Sequence, residues 1–216
     1  MKEMPLARYI AQQLRKPSGW FGKQVIARLL NRLNDPINTM TLDLLAVQAT
    51  DHVLEVGFGG GDLLGRIADR AADGFVAGVD FSPEMVERCV ARYRALVEAG
   101  RVAFHCANAD TVPYPDNHFT KACTINTIYF WEDPARVLSE LRRVLVEGGL
   151  LVVGFSPKKE MERRPFATHG FGLYDEESVR QLMEAAGFDA VQITPGQAGE
   201  RTFFCAAGMK GILGGG

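Results

Sequence analysis

Apolar and polar positions follow two different periods along this chain, and the alternation of the two divides it into strands and helices. Short apolar runs bounded by polar or glycine-rich turns are typical of buried strands, and they occur at residues 53–56, 75–79, 102–106, 119–126 and 150–155. Between these runs, apolar residues recur about every three to four positions, as on one face of a helix. Strands that alternate with helices over this length predict an α/β fold with a doubly wound, mostly parallel sheet.

The helix after the second strand has the clearest predicted boundaries. Ser82 and Pro83 predict its start, because serine can cap free N–H groups and proline suits the first helical position. We expect this helix to end near Gly100 and to bury Met85, Val86, Cys89, Val90 and Tyr93.

The second half of the chain is predicted to end in a hairpin. Asp133-Pro134 and Asp175 predict the starts of two helices, and Glu147-Gly148-Gly149 predicts the end of the first one. Residues 189–194 and 202–208 have the pattern of two strands joined by a Pro-Gly turn region, so we expect an antiparallel pair at the edge of the sheet.

The pattern predicts three segments. Residues 1–48 are helical, and one apolar stripe predicts a helix that packs over one end of the sheet as a lid, namely Val25, Ile26, Leu29, Leu30 and Leu33. A purely structural helical extension is the alternative, and the polar segment 156–173 is a second candidate lid piece. Residues 49–209 form the α/β domain, and residues 210–216 form a flexible, glycine-rich tail.

Composition narrows the classes of function. The formal net charge of -2 over 216 residues gives no electrostatic case for a nucleic-acid partner or an anionic membrane. The four cysteines are scattered without Cys-x-x-Cys spacing, so we expect reduced thiols and no metal site. No transmembrane segment or secretory signal is expected, which predicts a cytoplasmic protein, and a homodimer is compatible with the sequence.

The glycine cluster after the first strand is the main candidate ligand site. A nicotinamide dinucleotide site requires G-x-G-x-x-G, but here the third glycine position holds Asp62, whose carboxylate would repel a pyrophosphate. S-adenosylmethionine carries an ammonium and a sulfonium and has no phosphate, so Glu55 and Asp62 favour its cationic end. The backbone N–H groups of the glycine loop remain available for its carboxylate, and we expect Gly57, Gly59 and Gly61 to be cofactor-binding residues.

Two further positions fit the rest of that cofactor. Asp80 ends the second strand about twenty residues further on, where an acid can accept both ribose hydroxyls. Phe81 offers an apolar face for adenine, with Met85 behind it. After the third strand, Asn108-Ala109-Asp110 provides side chains that can accept a hydrogen bond from the adenine amino group.

At these residues the chain resembles the class I S-adenosylmethionine-dependent methyltransferases, in the small-molecule branch that includes the ubiquinone/menaquinone-biosynthesis C-methyltransferases. The resemblance rests on residues 53–61, 78–82, 107–110 and 141–149, and it extends from about residue 50 to residue 208. It implies a Rossmann-like, seven-stranded sheet whose last strand is antiparallel, and S-adenosylmethionine as the cofactor.

The loop after the fourth strand is where we expect the methyl group to emerge. Asn126 could contact the methionine end of the cofactor, and Tyr129 and Trp131 suit a flat or apolar acceptor. His169 is the best candidate for a base or substrate-polarising residue, and Tyr129 is a second catalytic candidate. We expect Trp20 and Phe21 to close the pocket from the amino-terminal side.

The sequence predicts an enzyme that transfers a methyl group from S-adenosylmethionine to a small, partly apolar or aromatic acceptor by in-line displacement. Two alternatives stay open. One is a nicotinamide-dependent oxidoreductase, and the other is a non-catalytic S-adenosylmethionine-binding regulatory protein. No residue pattern identifies the acceptor.

Overall fold

The computed structural model describes residues 34–163 and 172–211. These residues form seven strands: β1 (His52–Val56), β2 (Phe75–Asp80), β3 (Val102–Cys106), β4 (Phe119–Ile125), β5 (Leu145–Phe155), β6 (Phe188–Ala198) and β7 (Arg201–Lys210). The strands make one sheet in the order β3-β2-β1-β4-β5-β7-β6. The first five are parallel, and β7 is antiparallel to both of its neighbours. The predicted doubly wound sheet with an antiparallel last strand is confirmed.

Helices cover both faces of the sheet. They are α1 (residues 34–45), α2 (Asp62–Arg70), α3 (Pro83–Arg92), α4 (Arg94–Glu98), α5 (Pro134–Val144), α6 (Lys158–Glu162) and α7 (Glu176–Ala185). No helix in the described ranges combines the length and the apolar character needed to cross a membrane.

Alternation along the strands divides the core into two layers. Val53 packs with α1, α2 and α3 on one face, whereas Leu54 packs with α5 and α7 on the other. Both side chains are fully buried, and each buried aliphatic side chain of this size contributes about 1.5–3 kcal/mol of transfer free energy. Burial on both faces explains why these strands are visible in the sequence as short apolar runs.

The helix predicted from Ser82 to Gly100 is wrong in its length. It ends at Arg92, Tyr93 interrupts it, and a separate short helix follows. Val90 lies on the solvent side, 37% exposed, instead of in the predicted core face. Ser82 occupies the capping position, but its hydroxyl makes no capping hydrogen bond.

The strand after α5 starts earlier than the glycines suggest. β5 begins at Leu145, and Gly148 sits inside it with a φ of 72°. The pairing with β4 shifts register between Phe119 and Lys121, which accommodates the extra residues. The closing hairpin is also longer than predicted, with 11 and 10 residues in its two strands. Pro195 and Gly196, predicted for the turn, instead pair with Phe204 and Phe203 inside the hairpin.

Within the predicted lid segment 1–48, the described part is α1. It packs against a face of the sheet, because Ile37, Leu42 and Leu45 are buried with α2, and Thr41 lies 3.5 Å from the thiol of Cys205. Residues 1–33, 164–171 and 212–216 lie outside the described residues, so the lid and the tail over 212–216 stay predictions. The predicted start of the tail at residue 210 is wrong, because Lys210 is the buried last residue of β7.

Candidate cofactor and active site

The carboxyl ends of the parallel strands bring the predicted loops together at one edge of the sheet. The N–H of Gly57, just after β1, donates to Val79 of β2 (2.7 Å). The N–H of Ala107, just after β3, donates to the Asp80 carbonyl (3.1 Å). On the other side of the switch point between β1 and β4, the N–H of Asn126 donates to Gly154 (2.8 Å). This edge is where doubly wound sheets bind ligands.

The glycine loop adopts backbone angles that favour glycine. Gly57, Gly59 and Gly61 have φ values of 75°, 49° and 74°. A Cβ at Gly57 would overlap the methyl group of Thr127, so glycine allows the loops after β1 and β4 to touch. A Cβ at Gly59 would meet nothing within 4 Å. The N–H groups of Gly57, Gly59 and Gly61 already donate to Val79 (2.7 Å), Asp80 (3.0 Å) and Phe58 (2.8 Å), so the expectation that these three are available to a ligand carboxylate is wrong.

Asp80 links the glycine loop to the start of α3. Its two carboxylate oxygens accept hydrogen bonds from the N–H groups of Gly59 (3.0 Å) and Ser82 (2.9 Å). The side chain is 7% exposed, and burial raises its pKa although both hydrogen bonds act in the opposite direction. Each oxygen keeps a further lone pair for a ligand hydroxyl.

Glu55 is a buried carboxyl group beside the same loop. Its Oε2 atom has no hydrogen-bond partner among the described residues, and the backbone N–H of Leu64 donates to the carboxylate. Burial raises the pKa of Glu55 well above its ordinary range, and the charges of Asp80 and Asp62 raise it further. An unpaired buried oxygen of this kind needs an explanation, and a cationic ligand is one.

Asp62 differs from Glu55 because it already has a cationic partner. Its carboxylate forms an ion pair with Arg92, whose guanidinium also donates to the Gly60 carbonyl (2.8 Å). The negative charge of Asp62 is therefore compensated from within the chain, whereas no cationic side chain among the described residues pairs with Glu55.

The residues predicted for adenine lie after β2 and β3. Phe81 is 43% exposed, whereas Met85 is buried in the core. Asn108 is exposed and Ala109 is half-buried. Asp110 is engaged in the chain, because it accepts from the Thr111 hydroxyl (3.2 Å) and lies 3.3 Å from the Arg136 guanidinium.

Asn126 and Tyr129 are tied into the fold after β4. The Asn126 amide donates to Asn34 (3.1 Å) and accepts from the Tyr129 hydroxyl (3.1 Å). Tyr129 is buried, and its hydroxyl is hydrogen-bonded to both the carbonyl (3.1 Å) and the N–H of Ser156. Trp131 is only half-buried, so it is the more accessible of the two predicted rings.

Three of the predicted substrate or catalytic residues, Trp20, Phe21 and His169, lie outside the described residues. His52 and His118 lie at the opposite, amino-terminal ends of the strands, with ring centroids 5.7 Å apart. His105 contacts the Tyr114 hydroxyl at 2.9 Å, and burial lowers its pKa.

Sequence reasoning missed a second set of residues at the site. The side chains of Cys89, Arg92 and Tyr93 each reach a carbonyl of the glycine loop. Their i, i+3, i+4 spacing marks one helical face, but that pattern alone is equally typical of core packing.

Comparison with known proteins identifies the family. Residues 54–153 match the family described as "Methyltransferase domain". The uncharacterized methyltransferase YdaC of Bacillus subtilis is 27% identical over 82% of this chain and 93% of that protein. The ubiquinone/menaquinone biosynthesis C-methyltransferase UbiE of Shewanella frigidimarina is 29% identical over 71% of this chain and 72% of that protein.

Residues 54–153 therefore form a methyltransferase domain. Solved structures agree on the fold: a SAM-dependent methyltransferase from Aquifex aeolicus has a TM-score of 0.69 at 20% identity, covering 94% of this chain and 98% of that one. The [4+2]-cyclase SpnF has a TM-score of 0.70 at 19% identity, covering 82% of each chain. The family and the fold that the sequence predicts are thereby confirmed.

Proposed function

We propose that this methyltransferase transfers the methyl group of S-adenosylmethionine to a small, partly apolar or aromatic acceptor. The observation that carries the proposal is the buried oxygen of Glu55 beside the glycine loop, which has no hydrogen-bond partner within residues 34–163 and 172–211. A carboxylate there suits the ammonium of the cofactor's amino-acid end. The same carboxylate would repel the negatively charged pyrophosphate of a nicotinamide dinucleotide.

The other residues fit the remaining parts of the cofactor. Asp80 has lone pairs for the two ribose hydroxyls, and Gly59, held by Asp80, keeps the loop close to them. We assign the exposed ring of Phe81, with Met85 and Ala109, to the adenine faces. Asn108 is better placed than Asp110 to bind the adenine amino group, because Arg136 and Thr111 already engage Asp110.

When bound, S-adenosylmethionine supplies a methyl group that its sulfonium makes electrophilic. The residues of this chain orient the cofactor and the acceptor and exclude water, an effect that can contribute roughly 7–11 kcal/mol in favourable cases. Asn126 positions the end of the β4 loop, and Tyr129 holds Asn126. A base is required only where the acceptor must lose a proton, and His169 remains our candidate for it.

The acceptor site is assigned to the aromatic side of the β4 loop. Trp131 offers a half-buried ring for an apolar or flat molecule, and Trp20 and Phe21 are proposed to close it. The Shewanella relative is named for C-methylation in ubiquinone/menaquinone biosynthesis, which supports an aromatic acceptor here. A homodimer and the absence of a nucleic-acid partner remain predictions.

Calorimetric titration with S-adenosylmethionine and S-adenosylhomocysteine tests the cofactor assignment. Asp80→Asn should weaken both affinities about tenfold or more, because it removes a charge-assisted pair of hydrogen bonds to the ribose. Asp51→Asn is the matched control, since Asp51 is also a buried carboxylate but lies before β1, at the opposite end of the sheet. Equal affinities for wild type and Asp80→Asn would refute the ribose assignment.

Release of S-adenosylhomocysteine in the presence of small aromatic acceptors, with mass analysis of the product, tests the reaction itself. Tight cofactor binding without turnover on any acceptor or cell extract would favour a regulatory protein. Binding of NAD(H) without S-adenosylmethionine would favour an oxidoreductase.

A further inference from the structure

The last turn of α3 contacts the carbonyls of three consecutive glycines. The Cys89 thiol lies 3.5 Å from the Gly59 oxygen, the Arg92 guanidinium 2.8 Å from that of Gly60, and the Tyr93 hydroxyl 2.7 Å from that of Gly61. We infer that Cys89, Arg92 and Tyr93 form a carbonyl clamp that positions the glycine loop for the amino-acid end of the cofactor. The inference rests on the proposed function, because it takes S-adenosylmethionine as the ligand of this loop.

The clamp acts through the geometry of the peptide bond. A trans peptide directs its C=O and its N–H to opposite sides, so a carbonyl held toward α3 turns the next N–H away from α3. The peptides held by Cys89 and Tyr93 carry the N–H groups of Gly60 and Asp62. Glycines have wide backbone freedom. Bonds from the Gly61 N–H to Phe58 (2.8 Å) and from the Gly65 N–H to the Gly61 carbonyl (3.0 Å) restrict that freedom in part, and the clamp restricts it further.

Two glycines, Gly61 and Gly65, leave room for Tyr93 to approach the glycine loop. A Cβ at Gly61 would lie 3.1 Å from the Tyr93 ring, and a Cβ at Gly65 would overlap its hydroxyl. Tyr93 also sits at the interruption between α3 and α4, with φ -108° and ψ 26°, and Phe104 stacks on its ring at 6.1 Å. Burial raises the pKa of Tyr93 to about 12, so its hydroxyl stays a hydrogen-bond donor near neutral pH.

Arg92 adds an electrostatic part to the clamp. Its guanidinium binds the Gly60 carbonyl and the Asp62 carboxylate together, and it lies 5.0 Å from the centre of the Tyr93 ring. By neutralising Asp62, Arg92 leaves Glu55 as the carboxylate of this loop without a cationic partner among the described residues. The three clamp residues act through the loop and are therefore positioning residues.

Two ligands separate this role from a general loss of structure. S-adenosylhomocysteine has the amino-acid end that the loop N–H groups are proposed to bind, whereas methylthioadenosine has the same nucleoside without it. Tyr93→Phe should weaken binding of S-adenosylhomocysteine about two- to tenfold, and Arg92→Met about tenfold. Arg92→Lys keeps the charge and should restore part of the loss. Affinity for methylthioadenosine should not change in any of these variants.

Two matched controls remove similar groups elsewhere. Tyr114→Phe removes a hydroxyl bonded to His105, and Arg101→Met removes a guanidinium bonded to the carbonyls of Ala68 and Ala71 at the far end of α2. Both should keep wild-type affinity for S-adenosylhomocysteine, whatever their effect on unfolding.

The outcomes are distinguishable. If Tyr93→Phe and Arg92→Met bind S-adenosylhomocysteine as wild type does, or lose both ligands equally, the clamp is refuted while the proposed function stands. If wild-type protein binds neither S-adenosylmethionine nor S-adenosylhomocysteine, the proposed function fails and the clamp fails with it.

Discussion

Glu55 occupies a buried position at which an apolar residue would avoid an electrostatic penalty. The residue is 5% exposed, one carboxyl oxygen lacks a partner in the part of the chain that the structure describes, and two further carboxylates lie nearby. A buried charge without a partner lowers stability, so the residue is costly to the free protein and useful only if a cation joins it. Function and stability should therefore respond in opposite directions when this charge is removed.

Glu55→Gln tests that opposition. The pKa of Glu55 is raised in the folded state, so its contribution to stability is complete at low pH and is lost as the pH rises through the folded-state pKa. Wild-type protein should lose free energy of unfolding toward alkaline pH, and Glu55→Gln should lose less while binding S-adenosylhomocysteine more weakly. Urea unfolding at several pH values, together with calorimetric titration, measures both effects.

Glu140→Gln is the control of opposite sign. Arg143 lowers the pKa of Glu140, so that carboxylate stabilises the fold above the ordinary glutamate pKa and loses this effect as the pH falls. If Glu55→Gln followed the wild-type pH profile, or bound the ligand equally well, the role assigned to Glu55 would be wrong.

The connection between β3 and β4 is an irregular segment held by one helix. Arg143 of α5 donates to the carbonyls of Val112 (3.2 Å) and Tyr114 (2.9 Å), and it pairs with Glu140 and Asp116. Glu140 in turn accepts from the N–H of Val112 (2.7 Å). Because this segment begins at the residues assigned to adenine, α5 stabilises the site from a distance.

Arg143→Met should destabilise the fold by about 2 kcal/mol, because the backbone carbonyls and Glu140 lose a charged donor together. Amide hydrogen exchange should rise mainly between residues 107 and 116. Arg142→Met is the comparison, since Arg142 binds the Gly187 carbonyl (2.9 Å) and should loosen the end of α7 instead. The same exchange pattern in both variants would contradict this assignment.

Element positions could largely be predicted from periodicity, because the central strands are buried on both faces and their apolar runs are therefore short and continuous. The interruption at Tyr93 could not, since the flanking residues remain compatible with a helix. The break accompanies a hydrogen bond from the Tyr93 hydroxyl to the carbonyl of Gly61, more than one element away. Gly148 was predicted to end the preceding helix, but it lies inside β5. Its positive φ is typical of a helix end and is also tolerated at an irregular point inside a strand.

At the candidate site, sequence spacing located the residues but not their partners. The strand ends predicted where Glu55 and Asp80 lie, because all parallel strands end at one edge. The ion pair of Asp62 with Arg92 joins residues of two different helices, and its geometry follows only from their packing. Because Arg92 already pairs with Asp62, we assign the ammonium of the cofactor to Glu55 and not to Asp62.

The whole sheet has two chemically different ends. The carboxyl edge carries the glycine loop and the buried acids, whereas the amino edge carries an aromatic cluster. In this cluster the ring centroid of His118 lies 5.0 Å from that of Tyr114 and 4.8 Å from that of Phe119. Ligand binding is therefore expected to affect mainly the carboxyl edge of the sheet.

The outer strand β6 contains Pro195 and a register shift between Asp189 and Gln192, features that discourage pairing with another chain.

Hydrogen exchange with and without S-adenosylhomocysteine measures that asymmetry. A ligand bound only to the folded state slows exchange most where it orders the backbone, so protection should concentrate at residues 57–62, 80–85 and 107–110. Residues 188–210 of the closing hairpin should change only by the general increase in stability. Asp80→Asn at the same ligand concentration should reduce the local protection, whereas Asp51→Asn should keep it. Protection spread evenly over the sheet, or strongest at its amino edge, would place the ligand elsewhere than at the glycine loop.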